Sequence, residues 1–406
     1  MYDVIVIGGG AAGMSAAISA GRSGGRVLVL EKNKKMGKKL YATGNGRCNL
    51  ANEDVVLTKH YASWDTDYLS FLETIIGENP THKLLDFVHS LGISTYSKKG
   101  YIYPMANQAS AVVWAMLDEL SRIGVEMITD AAVSEIHSEK ECVYVKTDKD
   151  SYKAKTVILA CGGRSYSSLG GSDMGYKLAT SLNLKLTNIH QALCPVITTK
   201  DLSIAAGVRT SAHATLYVDG MYADEEWGEL QITDYGLTGI MIFNLSSCAG
   251  KALGSKKKVC LSIDMVPQLE NQDIREIFMA AMGRTCLGFL NGIINDKLAR
   301  LILNECNIDA SKKTDTLTAD EVERLLDVLK NYRLEVSGLK DYEQAQVCSG
   351  GVSLSEIDAD TMQLKQYNNI YIAGEIIDID GKCGGYNLTF AILSGIKAGT
   401  GAYAYS

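Results

Sequence analysis

Tyr2 to Ile7 (YDVIVI) is a short β-branched apolar run that feeds directly into Gly8-Gly9-Gly10-Ala11-Ala12-Gly13. A small-residue stretch follows from Met14 to Ala20, then a second apolar run, Val27 to Leu30, that ends on Glu31. An apolar run of this length suits a buried parallel strand. The glycines form a G-x-G-x-x-G in which Gly8 makes a tight turn, Gly10 admits a diphosphate to the backbone, and Gly13 lets the helix pack against the strand. A helix N-terminus at this point offers free N–H groups and a partial positive charge to phosphate. Glu31 falls 18 residues after Gly13, where a carboxylate accepts hydrogen bonds from both adenosine ribose hydroxyls and opposes the 2′-phosphate of NADP. A glycine-rich turn alone is weak evidence. Strand, turn, helix, strand and acid in register predict a dinucleotide-binding Rossmann unit.

At 406 residues the chain is long for a single core, and two or three domains are expected. Hydrophobic content of 46% with 21% charged residues is ordinary for a globular protein. Val4 to Gly21 carries no charge, but its glycines and strand-like start fit the Rossmann entry rather than a membrane span or signal peptide. A cytoplasmic protein is therefore expected, with no membrane partner. The net charge of −7 gives no support for nucleic-acid binding. Lys32, Lys34, Lys35, Lys38, Lys39 and Arg47 form a local basic cluster, either a solvated loop or charge compensation for a diphosphate. Ten cysteines show no C-x-x-C, and six histidines show no metal-type spacing, so no metal site is expected.

Leu69 to Leu91 reads as two amphipathic helices broken near Pro80, and Ala109 to Ile123 as another. Glu126–Ile128, Val133–His137 and Cys142–Lys146 read as a β-meander, and Thr156 to Ala160 as a second buried strand running into Cys161-Gly162-Gly163. Ala214–Val218, Glu229–Thr233 and Val259–Ile263 read as strands, and Asp273 to Tyr332 as mainly helical. Asn369 to Ala373 returns to the buried-strand pattern. It is followed by Gly374-Glu375, a glycine-rich turn from Gly381 to Asn387, and a small-residue helix from Leu388 to Ala398. The expected organisation is a nucleotide domain split in sequence (1–189 and 341–406) around a β-rich substrate insert (190–270) and a helical insert (271–340).

The strings Gly37-Lys38-Lys39-Leu40, Thr43-Gly44-Asn45-Gly46-Arg47-Cys48-Asn49, Cys161-Gly162-Gly163-Arg164-Ser165-Tyr166 with Gly175-Tyr176, Gly350-Gly351-Val352, and Gly374-Glu375 with Asp380-Gly381 and Gly384-Gly385-Tyr386-Asn387 span nearly the whole chain. In them the sequence resembles a family of bacterial FAD-dependent flavoproteins that includes 3-dehydro-bile-acid Δ4,6-reductases and aminoacetone oxidases. The resemblance implies an α/β fold: a glutathione-reductase-type FAD-binding Rossmann domain, split in sequence, with a β-barrel-like insert and a small helical domain. It implies that Gly46, Arg47, Cys48 and Asn49 approach the isoalloxazine from one side and Gly385, Tyr386 and Asn387 from the C-terminal helix. Ala12, Lys32, Lys38, Gly44, Val133, Ala160, Gly162, Gly374 and Glu375 complete the expected set around non-covalent FAD. Two departures stand out. Thr233-Asp234-Tyr235-Gly236-Leu237-Thr238-Gly239-Ile240 replaces a Thr-His-x-Gly-x-Ser-Gly-Pro stretch, and Ser167 stands where proline is common. A histidine role at the position of Asp234 is therefore not transferable.

Three classes of function follow. The first is a reductase that passes hydride from NAD(P)H through flavin N5 to the β-carbon of an enone, such as a 3-oxo bile acid or steroid. Arg47, Cys48 and Tyr386 are its candidate catalytic residues, with Tyr386 or water as proton donor. The second is an amine oxidase of aminoacetone type that makes H2O2, and the third a non-catalytic FAD-binding redox sensor. The absence of a second G-x-G-x-x-G after a strand removes the two-nucleotide-domain disulfide reductases and leaves NAD(P)H to bind transiently. Arg47 either stabilises anionic reduced flavin or substrate, or pairs with a backbone carbonyl. Cys48 is a redox thiol or a packed one, and a disulfide to Cys383 stays open. Oligomeric state is not readable.

Overall fold

The computed structural model describes all 406 residues. They divide into two compact units, Met1–Ile189 with Gln346–Ser406, and His190–Ala345.

The first unit is built on a parallel sheet. Tyr2–Ile7 lies between Val27–Leu30 and Ser151–Leu159; Glu126–Ile128 extends the sheet on one side and Ile370–Ile372 on the other. Ile7 is in register with both Leu30 and Leu159, and Leu159 with Ile372. Backbone hydrogen bonds continue one residue past the strands, from Gly8 N to Leu30 O, Ala160 N to Ile7 O, and Ala373 N to Leu159 O, each 2.9 Å. The strands thus end level, and Gly8, Glu31, Ala160 and Gly374 emerge along one edge. A doubly wound sheet places its ligands at such an edge.

Glu126–Ile128 pairs in parallel with Val27–Leu30 and is not part of the expected meander. It follows the helix Ala109–Arg122, whose crossover returns the chain to the sheet in the same direction. The meander consists of Val133–Ser138, Val143–Thr147 and the first half of Ser151–Leu159. The two helices around Pro80 form as Tyr68–Ile76 and Pro80–Ser90, with proline at the start of the second, where its missing N–H costs no hydrogen bond.

Two helices of small residues pack side by side in this unit. Ala11–Arg22 follows the first strand, and Tyr386–Tyr405 closes the chain. A Cβ on Gly395 would sit 2.3 Å from the Ala12 carbonyl oxygen, and one on Gly399 2.2 Å from that of Ala16. The uncharged run Val4 to Gly21 is accounted for by the first strand, its turn and most of the first helix. No helix is long and apolar enough to cross a membrane.

The second unit is a closed six-stranded barrel, in the order Val196–Thr198, Gly236–Thr238, Met221–Ile232, Arg209–Val218, Val259–Asp264, Tyr332–Leu339. Its last strand corrects the expectation of a helical segment reaching residue 340: Tyr332, Leu334 and Val336 alternate inward. A helix that the sequence reading did not identify, Ile240–Gly254, packs on the barrel. The helices Asn271–Ala280, Cys286–Leu290, Asp296–Glu305 and Ala319–Lys330 share one hydrophobic core with the strands, in which Ile263, Phe278, Ile302 and Leu329 are buried.

Gly395→Ala tests the helix contact in the first unit. A methyl group there meets backbone that cannot swing aside, and we expect a loss of about 1–3 kcal/mol in unfolding free energy. Chemical denaturation measures it, and unchanged stability would show that the two helices are free to part.

Candidate functional site

The site is built where the parallel strands end. Gly10 caps the first helix with an extended backbone, no side chain caps it, and its first turn holds no acid. The first N–H groups of a helix have no partner within it. A Cβ at Gly10 would meet no protein atom within 4 Å, whereas one at Gly13 would lie 1.8 Å from the Gly8 carbonyl oxygen. The turn is thus tight on its inner side and open on its outer side, as an anion cradle requires. Gly8 adopts φ +111°, which an L side chain resists.

Glu31 is buried beside this turn. Its Oε2 accepts from Gly9 N at 2.7 Å, and its Oε1 from Asn33 N at 2.8 Å. The carboxylate therefore shapes the glycine turn itself, and keeps lone pairs for a ribose hydroxyl. Ala131 N donates to the Glu31 carbonyl, two residues before the buried Val133 begins the strand Val133–Ser138. Lys32 is half-buried, and burial lowers the pKa of its ammonium. Lys38 is exposed.

The basic residue that organises the site is Lys39, expected above only as one member of the basic cluster. Its Nζ donates to Glu375 Oε2 at 2.8 Å and to Ser165 Oγ at 2.7 Å. Glu375 also accepts from Cys348 N at 3.0 Å. One carboxylate thus ties together four segments remote in sequence. The Glu375 carboxylate is thus occupied in part by protein donors. The string Gly37-Lys38-Lys39 signalled a functional lysine but not which of the two.

The stretch Thr43 to Asn49 is the most contorted in the unit. Gly44, Asn45, Gly46 and Cys48 all take positive φ, between 54° and 81°. Cys48 is fully buried, its N–H donates to Thr43 O, and burial pushes its thiol up to about 11. Burial therefore favours the neutral thiol over the thiolate. None of the ten cysteines is in a disulfide, so the Cys48–Cys383 pairing does not form. Arg47, by contrast, is exposed and has no carboxylate partner, and the expected alternative of a backbone pairing is not seen. Asn49 holds a buried Oδ1 with no hydrogen-bond partner.

Around the C-terminal helix the expected roles change. Gly385 begins the helix at φ +94°, and a Cβ there would sit 2.6 Å from the Ala51 backbone. Tyr386 is buried, stacks on His60 at 4.3 Å, and donates its hydroxyl to Asp54 O at 2.9 Å. In this arrangement its proton is held by a backbone carbonyl. Asn387 clamps the Gly381 peptide from both sides, at 2.9 and 2.6 Å, which fixes its amide and leaves one N–H and one lone pair unused by that pair of bonds. Gly162 and Gly374 keep positive φ, and Ala160 is buried at the strand edge.

These residues fit FAD. The open Gly10 face and free helix N–H groups suit its diphosphate, Glu31 its ribose, and the orphaned Asn49 Oδ1 a flavin N–H. Glu31→Ala removes the carboxylate that holds Gly9, and we expect FAD affinity to fall by about 1.5–3 kcal/mol, read by flavin fluorescence titration. Unchanged affinity would contradict that role.

A family model described as the HI0933-like protein Rossmann domain matches residues 2–401. The 3-dehydro-bile acid delta(4,6)-reductase of Clostridium scindens is 35% identical over 409 residues, covering 99% of each chain. The ribosomal RNA dihydrouridine synthase of Escherichia coli is 25% identical over 397 residues, covering 96% of this chain and 95% of the relative. Among solved structures, a 3-ketosteroid delta1-dehydrogenase from Sterolibacterium denitrificans shares the fold, with a TM-score of 0.52 at 14% identity and full coverage of both chains. The chain belongs to the HI0933-like family and is an FAD-binding Rossmann oxidoreductase.

Proposed function

We propose that the protein is an NAD(P)H-driven, FAD-dependent reductase of an activated C=C bond, an enone in a small apolar substrate such as a 3-oxo bile acid or steroid. One observation carries the reading. The relative that matches end to end is named for reducing the Δ(4,6) bonds of a 3-dehydro bile acid, and a second full-length relative is named for making dihydrouridine. Both names describe saturation of a carbon–carbon double bond conjugated to a carbonyl. Each such reaction adds a hydride to the β-carbon and a proton to the α-carbon.

Bound FAD supplies the hydride-transfer chemistry. The chain's own residues hold and orient. Arg47 is an exposed cation at the head of the contorted loop, free to bind the substrate carbonyl and stabilise charge that develops on its oxygen. Cys48 fills space as a neutral thiol. With the Tyr386 hydroxyl committed to Asp54, the α-carbon takes its proton from water. NAD(P)H balances the electrons, since one hydride from the nicotinamide accounts for the one added to the substrate.

An RNA substrate is the competing idea, because one relative is named for ribosomal RNA. The net charge of −7 weighs against it, since affinity for RNA rests on neutralising phosphates. No observation of comparable weight favours an amine oxidase or a non-catalytic sensor.

Anaerobic mixing of the holoprotein with NADH and with NADPH, followed at the flavin band near ~450 nm, tests the donor. Rapid bleaching by one of them is the expected outcome. If neither bleaches the band, the electrons come from the substrate and the oxidase reading replaces this one.

A further inference from the structure

Glu375 is an acid placed beside the position of an anionic ligand. Gly374 takes φ +78°, and a Cβ on it would sit 2.6 Å from the Ala12 Cβ, at the second residue of the first helix. Glu375 follows one residue beyond that contact, about 3.8 Å of chain, and its side chain keeps 20% of its surface exposed. The carboxylate is therefore accessible from the strand edge that carries the Gly10 cradle. Left bare, it would oppose a diphosphate in two ways. It would repel the bound anion, and it would compete with that anion for the unpaired N–H groups of the helix.

Lys39 answers both. Its Nζ donates to Glu375 Oε2 at 2.8 Å, to Oε1 at 3.0 Å and to Ser165 Oγ at 2.7 Å. Those three bonds use all three hydrogens of the ammonium. The lysine thus has no hydrogen left to donate to a ligand, and acts on one through its charge. Further donors hold the carboxylate from the interior side. Oε1 also accepts from Cys348 N at 3.0 Å and lies 3.2 Å from Ser165 Oγ, and Ser165 and Cys348 are both buried. Gly163 permits the approach, since a Cβ there would sit 2.9 Å from Oε1. The acid is thereby both neutralised and tethered before any ligand arrives.

We propose that Lys39 is a positioning residue for the cofactor: by pairing with Glu375 it cancels the negative charge that this acid would set against the FAD diphosphate. The helix N-terminus then faces the diphosphate without a competing anion. The inference rests on FAD binding and involves no substrate, so it stands or falls separately from the enone assignment.

The test is fluorescence titration of the full chain, stripped of flavin, with FAD at low ionic strength. Lys39→Met uncovers the carboxylate, and Kd is expected to rise about tenfold or more. Glu375→Gln removes the acid's charge, keeps an oxygen acceptor in its place and leaves the lysine unopposed. Its Kd is expected to fall, or to stay within about threefold of native. Adding Lys39→Met to Glu375→Gln should then cost less than about threefold, because no bare carboxylate remains. A link that only staples the segments together predicts otherwise: both single variants break the same bonds and weaken FAD alike. Glu375→Gln carries the test by itself if Lys39→Met does not fold. A Glu375→Gln variant that loses about tenfold or more in affinity, or a Lys39→Met variant that binds as the native chain does, would overturn the proposal. A native chain that takes up no FAD would sink the cofactor assignment along with it.

Discussion

The flavin unit depends on joining two pieces of chain that the second unit separates in sequence. The junction is a close approach of backbone to backbone. Ile370–Ile372 completes the parallel sheet beside Ser151–Leu159, and the C-terminal helix lies against the first helix with Gly395 and Gly399 over the carbonyls of Ala12 and Ala16. The first helix is itself held on the sheet by Gly13 over Gly8. Small residues at these contacts let the phosphate turn, the Gly374 turn and the start of the last helix share one edge. Ordinary side chains there would separate the elements and disperse the site.

Around that edge, carboxylates act mainly as staples. Glu31 fixes the glycine turn, Glu375 gathers Lys39, Ser165 and the Cys348 amide, and Asp65 and Asp378 bind the His60–Asp65 region to the Gly350 and Gly374 motifs. Around these staples the cofactor is offered backbone N–H groups and a few uncommitted groups, chiefly Asn49 Oδ1 and the Arg47 guanidinium. Preorganising a cofactor site in this way transfers the cost of ordering it from binding to folding.

The parts of this site that were legible in the sequence are those whose cause is local. Gly8, Gly10, Gly13 and Glu31 act within one βα turn, and their spacing alone dictates what the backbone must do. The strand 370–372 and the final helix were legible for the same reason, as an apolar run and a small-residue run set apart by glycines. Side-chain commitments were not, because they are settled by distant partners: which lysine reaches Glu375, where the Tyr386 hydroxyl points, what Asn387 clamps. Glu126–Ile128 is too short for its pattern to choose between a meander and a parallel edge. Tyr332–Leu339 alternates correctly for a strand but follows a long helical run, and barrel closure decides its state. Asp378 carried no signal in sequence, since a buried acid and an exposed one look alike in a chain.

The measurement that tests the account most directly is anaerobic reoxidation of the pre-reduced holoprotein by a Δ4-3-oxo steroid or bile acid, with product mass followed alongside the flavin band. The account predicts return of the oxidised band together with a product about two mass units heavier than the substrate, one hydride and one proton added across the double bond. Failure of every such enone to reoxidise the flavin, with bleaching of the oxidised protein by an amine instead, would contradict it.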